Sequence, residues 1–131
     1  MSRILVIDDE RMVCDTLALI LKRGGHEAFC VERATTGMRV FREDPFDLVI
    51  TDIFLPDMDG LEVVRSLHSE FPSTPIIAMS GGGQVLQEDF LPAARSMGAT
   101  QVLHKPFNAT DLLGMVSEVL EERIVRTSAV G

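Results

Sequence analysis

The chain is short of basic charge, of lysine, of cysteine and of long apolar runs, and each shortage excludes something. Acidic residues number 20 against 12 basic ones, a net charge of −8 over 131 residues. That balance excludes direct nucleic-acid binding, which needs a basic face to neutralise phosphates, and it suits a cation site or a basic partner. The apolar-rich run Ile4 to Asp8 is too short for a signal-peptide core or a membrane span, so a cytoplasmic protein without membrane association is expected. Cys14 and Cys30 are the 2 cysteines; they match no zinc spacing and predict buried, reduced thiols. The run Gly81-Gly82-Gly83 is followed by no Gly-Lys-Ser/Thr, so it is neither a P-loop nor a dinucleotide fingerprint. His26, His68 and His104 fall on separate segments, which argues against a histidine metal site. Lysine is confined to Lys22 and Lys105, so a lysine at a special place is less expected by chance here than in a lysine-rich chain.

What is present is a globular pattern. Apolar residues make up 46% of the chain, enough for one core in one domain. Short apolar runs predict strands at Arg3–Ile7, His26–Val31, Phe46–Thr51, Pro75–Met79 and Gln101–His104, the second nearer an edge. Between them helical patterns cover Glu10–Arg23, closed by Gly24-Gly25, then Thr35–Glu43, stopped by Asp44-Pro45, and Gly60–Glu70, with Asp59 and Glu62 at capping-box spacing. A further helix lies between Gln87 and Met97, started or interrupted near Pro92. Asn108 caps the last one, whose stripe is Leu112, Leu113, Val116, Val119 and Leu120. The domain is assigned to 1–122; residues 123–131 have no clear face and read as a fraying tail or the start of a linker. Phe29, Phe41, Phe46 and Phe71 are assigned to packing. Strands alternating with helices predict an α/β fold with a doubly wound parallel sheet covered on both faces.

In such folds the functional groups gather at the carboxyl ends of the strands. Those ends carry Asp8-Asp9-Glu10, then Asp52, then Ser80, then Lys105-Pro106-Phe107. Singly, each has a plain alternative. Asp8 and Asp9 could cap a helix, Asp52 could be a turn residue, Ser80 a loop serine and Lys105 a surface lysine; Asp57 and Asp59 read as turn and cap residues. Jointly, Asp8, Asp9 and Asp52 form a hard oxygen cluster of the kind that suits Mg²⁺. Phosphoryl transfer to a carboxylate fits best, with Asp52 as nucleophile, Lys105 as a fixed positive charge and Ser80 as a hydroxyl donor to a phosphoryl oxygen.

With Asp8-Asp9, Asp52 followed by Leu55-Pro56-Asp57-Met58-Asp59-Gly60, Met79-Ser80 and Lys105-Pro106-Phe107 in this order, the sequence resembles the receiver domain of two-component response regulators, the family of the chemotaxis regulator. The resemblance covers about residues 3 to 122. It implies a flavodoxin-like, five-stranded sheet of order 2-1-3-4-5 and a cis Lys105-Pro106 bond. It implies phosphorylation of Asp52 by a histidine kinase or histidine phosphotransfer protein. It implies Mg²⁺ on Asp8, Asp9, Asp52 and the Phe54 backbone carbonyl, and a downstream protein target; it does not imply a dedicated enzyme.

Three departures stand out. Val102 occupies the place where family members often carry a switching Tyr or Phe. The span from Ser80 to Lys105 is longer than usual, which predicts a shifted or poorly ordered fourth helix and mobility over residues 81–90. Phe54 and Gly82 occupy positions that tune dephosphorylation in the family. Two other functions compete: a Mg²⁺-dependent aspartyl-phosphate hydrolase, for which Asp57-Met58-Asp59 has the spacing, and a receiver-like module that no longer accepts phosphate.

Overall fold

The computed structural model describes the backbone of residues 2–80 and 87–130, and their side chains except those of 87–91 and 123–130. Strands and helices alternate: β1 (Arg3–Ile7), α1 (Arg11–Arg23), β2 (Glu27–Val31), α2 (Ala34–Glu43), β3 (Leu48–Asp52), α3 (Gly60–Glu70), β4 (Ile76–Ser80), α4 (Gln87–Ser96), β5 (Gln101–His104) and α5 (Ala109–Val130). The 5 strands pair in parallel in the order β2-β1-β3-β4-β5, as the resemblance implies.

The period-2 alternation of the strands builds two apolar layers. Ile4, Val6, Leu48, Ile50, Ile77, Met79 and Leu103 face Cys14, Leu17 and Leu21 of α1 and Leu112, Val116 and Val119 of α5. Their neighbours Leu5, Ile7, Val49, Ile76, Ala78 and Val102 face α2, α3 and α4. With both faces covered, each inner strand reads as a continuous apolar run rather than an alternation. The edge strand β2 is only partly covered, and Phe29 is half exposed there, in tilted contact with Phe46 at 6.1 Å.

Local chemistry explains the element ends. At the end of α1 the carbonyls of Ile20, Leu21 and Lys22 are taken by the N–H groups of Gly24, Gly25 and His26, and Gly25 turns the chain at φ +88°. Gly60 opens α3 directly against the tip of β3. Its N–H donates to the Ile53 carbonyl at 2.8 Å, and a Cβ there would overlap the Ile53 backbone. Helix α4 runs through Pro92 rather than starting there. Helix α5 continues to Val130, past the point where its apolar stripe ends. The capping box at α3 is half formed: Asp59 Oδ1 accepts from Leu61 N–H at 2.9 Å, while Glu62 turns to Arg65.

Candidate functional site

Parallel strands that start in register finish together, so their last side chains converge. Ile7 of β1 is paired with Thr51 of β3, Asp52 with Met79 of β4, and Ser80 with His104 of β5. One residue beyond β1 stands Asp8, fully buried, its N–H donating to the Val31 carbonyl. Asp52 ends β3 at 4% exposure, and Ser80 ends β4, fully buried. Lys105 follows β5 directly, its N–H bonded to the Ser80 carbonyl at 2.9 Å, and the Lys105-Pro106 bond is cis as expected.

The side chains form one connected network. Lys105 Nζ donates to Asp8 Oδ2 at 2.8 Å and to Asp52 Oδ2 at 2.9 Å, and lies 3.9 Å from Glu10 Oε1. Each aspartate is fixed at its other oxygen by a backbone donor two residues on: Glu10 N–H to Asp8 Oδ1 at 2.8 Å, and Phe54 N–H to Asp52 Oδ1 at 2.9 Å. Carboxylate oxygens of Asp8, Glu10 and Asp52 lie within 4.8 Å of one another. This is a concentrated, hard-oxygen donor set that fits a small divalent cation.

Burial sets the electrostatics. It pushes the Asp8 carboxyl above its ordinary range; Lys105 and the Glu10 N–H pull the other way, and the Asp52 charge adds to the rise. Burial alone would lower Lys105, but its bonds to Asp52 and Asp8 outweigh it and hold the ammonium more tightly protonated than usual. The site therefore carries one firmly held positive charge between acids that repel each other.

The structure brings together Asp8, Asp52, Ser80 and Lys105 from the sequence reading. Asp9 is exposed and lies outside the cluster of three acids; Glu10 is there instead. Ser80 Oγ is 3.5 Å from His104 Nδ1, a neighbour that the separate-segment reading of the histidines missed. Val102 is buried beneath α4 at 8% exposure. Gly82 and part of the span 81–90 lie outside the described residues.

Asp57 has a place that local pattern does not reveal. Helix α2 has Arg33 at its N-cap position, whose side chain makes no cap. Asp57, in the loop after β3, supplies it: Oδ1 accepts from Ala34 N–H at 3.0 Å, and Oδ2 from Thr35 N–H at 3.1 Å and Thr35 Oγ1 at 2.8 Å. Residual burial pushes its carboxyl up, but these bonds together leave it below the usual range. Asp57 thus caps α2 and Asp59 caps α3, so the pair with hydrolase spacing is occupied with helix ends. The one visible signal was the missing Ser, Thr, Asp or Asn at the start of α2.

Comparison with known proteins agrees with this geometry. The family model described as the response regulator receiver domain matches residues 4–117. The response regulator protein FleR of Pseudomonas aeruginosa is 33% identical over 116 residues, covering 88% of this chain and 24% of FleR. The cell cycle transcriptional regulator CtrA of Caulobacter vibrioides is 28% identical over 118 residues, covering 90% of this chain and 50% of CtrA. Across such curated relatives the chain spans 24% to 56% of their length. Among solved structures, NtrX from Brucella abortus superposes with a TM-score of 0.92 at 28% identity, over 98% of this chain and 29% of that one. A CheY-like receiver domain protein from Methanospirillum hungatei does so with a TM-score of 0.88 at 29% identity, over 96% of this chain and 98% of that one. Fold, strand-end residues and these matches converge: the chain belongs to the response regulator receiver domains of two-component systems.

Proposed function

We propose that this domain accepts a phosphoryl group on Asp52 from the phosphohistidine of a histidine kinase or histidine phosphotransfer protein, and signals through a changed protein-binding surface. The observation that carries the reading is the pair of hydrogen bonds that Lys105 Nζ donates to Asp8 and Asp52 at the sheet lip. In the transfer, the donor P–N bond breaks and a P–O bond forms to an Asp52 oxygen, the imidazole leaving with a proton. Asp52 is held for attack by the rigid end of β3 and by the Phe54 N–H. Lys105 offsets charge as the acyl phosphate forms, and the Ser80 hydroxyl donates to a phosphoryl oxygen.

Asp8, Asp9, Asp52 and the Phe54 carbonyl are the groups that would hold Mg²⁺, with Glu10 a further acid beside Asp8 and Asp52. Bound there, Mg²⁺ would neutralise charge on the transferring phosphoryl oxygens. Phosphorylation adds about −1.5 to −2 charge at Asp52. That charge draws the Ser80 hydroxyl at the end of β4 and Lys105 at the end of β5, and so biases the surface of α4, β5 and α5. A groove of about 520 Å³ there, lined by Val102, His104, Phe107 and Met115 among others, suits a protein target. A phosphohistidine donor of this kind places the domain in the cytoplasm. Among the described residues no helix is long and apolar enough to cross a membrane.

The test is phosphoryl labelling by a small-molecule phosphodonor with Mg²⁺. A hydroxylamine-sensitive label is expected on the natural chain and none on Asp52→Asn. Equal labelling of both would sink the reading. Turnover of small phosphate esters over many cycles would favour the hydrolase, and no labelling with no Mg²⁺-induced stabilisation would favour a module that has lost the chemistry.

A further inference from the structure

The acidic site leaves the two cysteines unused. Cys14 sits on the inner face of α1 at 3% exposure, among the residues that α1 and α5 bury against the sheet. Cys30 is on β2, the edge strand, and packs half-buried against the same layer. Cys30 Sγ lies 3.4 Å from the Cys14 carbonyl oxygen, and Cys14 Sγ lies 3.4 Å from the Asp8 carbonyl oxygen. With 2 cysteines in the chain, each is the other's sole intramolecular partner.

From this juxtaposition we infer that Cys14 and Cys30 form a reversible thiol–disulfide pair, with Cys30 the sulfur that meets a hydroperoxide and Cys14 the one that resolves it. Accessibility sets the order: Cys30 is reached from the open edge of the sheet, whereas Cys14 is sealed under α1. The Cys30 thiolate attacks the outer oxygen of the hydroperoxide, the O–O bond breaks, and an alcohol or water leaves after taking a proton. The Cys30 sulfenic acid is then attacked by the Cys14 sulfur. The S–O bond breaks, water carries away the hydroxyl with the Cys14 proton, and an S–S bond remains. Two electrons pass from the thiols to the peroxide, and a dithiol reductant restores the pair by exchange. The bond joins α1 to β2 and draws the Cys14 sulfur off the Asp8 carbonyl, so it forms beside the acidic site without using any of its carboxylates.

The experiment treats the reduced full chain with hydrogen peroxide and counts alkylatable thiols by intact mass. Loss of both thiols in a monomer, reversed by dithiothreitol, is expected. In Cys14→Ser, Cys30 should accumulate a sulfenic acid that dimedone traps. In Cys30→Ser, Cys14 should oxidise about tenfold more slowly than Cys30 does in the natural chain, as a buried neutral thiol does. Cys14→Ala, checked by circular dichroism, repeats the trapping arm if the buried serine unfolds the protein. Disulfide-linked dimers as the sole product, direct passage of Cys30 to sulfinic acid with Cys14 still alkylatable, or unchanged oxidation of Cys14 in Cys30→Ser would each overturn the pair.

Discussion

Asp8 and Asp57 stand at the same end of the sheet, one beyond β1 and one beyond β3, and have opposite chemistry. Asp8 is fully buried, shares a lysine with a second aspartate, and has its carboxyl pushed up by burial. Asp57 is exposed, accepts three bonds from the first turn of α2, and has its carboxyl held down. A side chain whose two oxygens both serve the first turn of a helix is a structural part. One left crowded with charge is poised for something that arrives, in the proposed function a cation and a phosphoryl group. The contrast assigns the two aspartates without reference to their sequence neighbours, and it can be broken by substitution.

The largest effect is expected at Lys105. Lys105→Ala removes the one charge between Asp8 and Asp52 and should cost about 3 kcal/mol in the metal-free protein at neutral pH, because two buried carboxylates lose their shared partner. Urea unfolding in the presence of a chelator measures it. The cost should shrink as the pH falls and Asp8 becomes protonated. A pH-independent loss would mean that the lysine stem, rather than its charge, supports the fold.

Next comes Asp57→Ala, expected to cost about 1 kcal/mol, the ordinary worth of a helix N-cap. Its carboxyl is lowered relative to the ordinary 3.8, so its stabilisation is present above that value and is lost as the pH falls through the folded-state value. The variant should therefore lose the part of acid destabilisation that lies below pH 3.8 in the natural chain. Asp8 has the opposite sign. Its carboxyl is raised above 3.8, so its contribution is fully present below that pH and is lost as the pH rises through the folded-state value. Asp8→Asn, which cannot ionise, should make the metal-free protein more stable at neutral pH, by less than Asp57→Ala destabilises it. Mg²⁺ should raise the melting temperature of the natural chain and do so far less for Asp8→Asn. Thermal unfolding across pH, with and without Mg²⁺, checks both signs together. Equal signs for the two aspartates would remove the distinction drawn between them.

What could be read before the structure follows the same division. Strand runs, the Gly25 stop, the Asp59 cap on α3 and the Asn108 cap on α5 depend on neighbours a few residues apart, and they were legible. The convergence of Asp8, Asp52, Ser80 and Lys105 was legible because parallel strands put their ends together, even though Lys105 and Asp8 are 97 positions apart. The Asp57 cap, 23 positions from Ala34, was not legible: its partner is a helix start that a loop reaches by chance of packing. Nor was the place of Glu10 beside Asp8 and Asp52. Asp9 and Glu10 follow the same strand and are both exposed, and the pattern does not say which of the two carboxylates comes near Asp8. Ser80 and His104 are cross-strand partners whose meeting depends on the register of β4 with β5, which composition does not encode.

The smallest effect is expected where bond geometry is good but burial is absent. Arg42 on α2 forks onto Glu70 on α3 through bonds of 2.9 and 2.7 Å, as short as those of Lys105. The Arg42 and Glu70 side chains are 49% and 40% exposed, against 12% for Lys105 and 0% for Asp8. Water and salt screen the exposed pair and can solvate either partner left alone, whereas Asp8 without Lys105 has only its neighbours. Arg42→Ala should therefore leave the unfolding midpoint almost unchanged, and the small difference should vanish in high salt. Lys105→Ala should remain costly at the same ionic strength. If the two substitutions cost the same, hydrogen-bond geometry rather than burial would govern the ion pairs of this fold. The reading of the Asp8–Asp52–Lys105 cluster as a site held under electrostatic tension would then lose its physical basis.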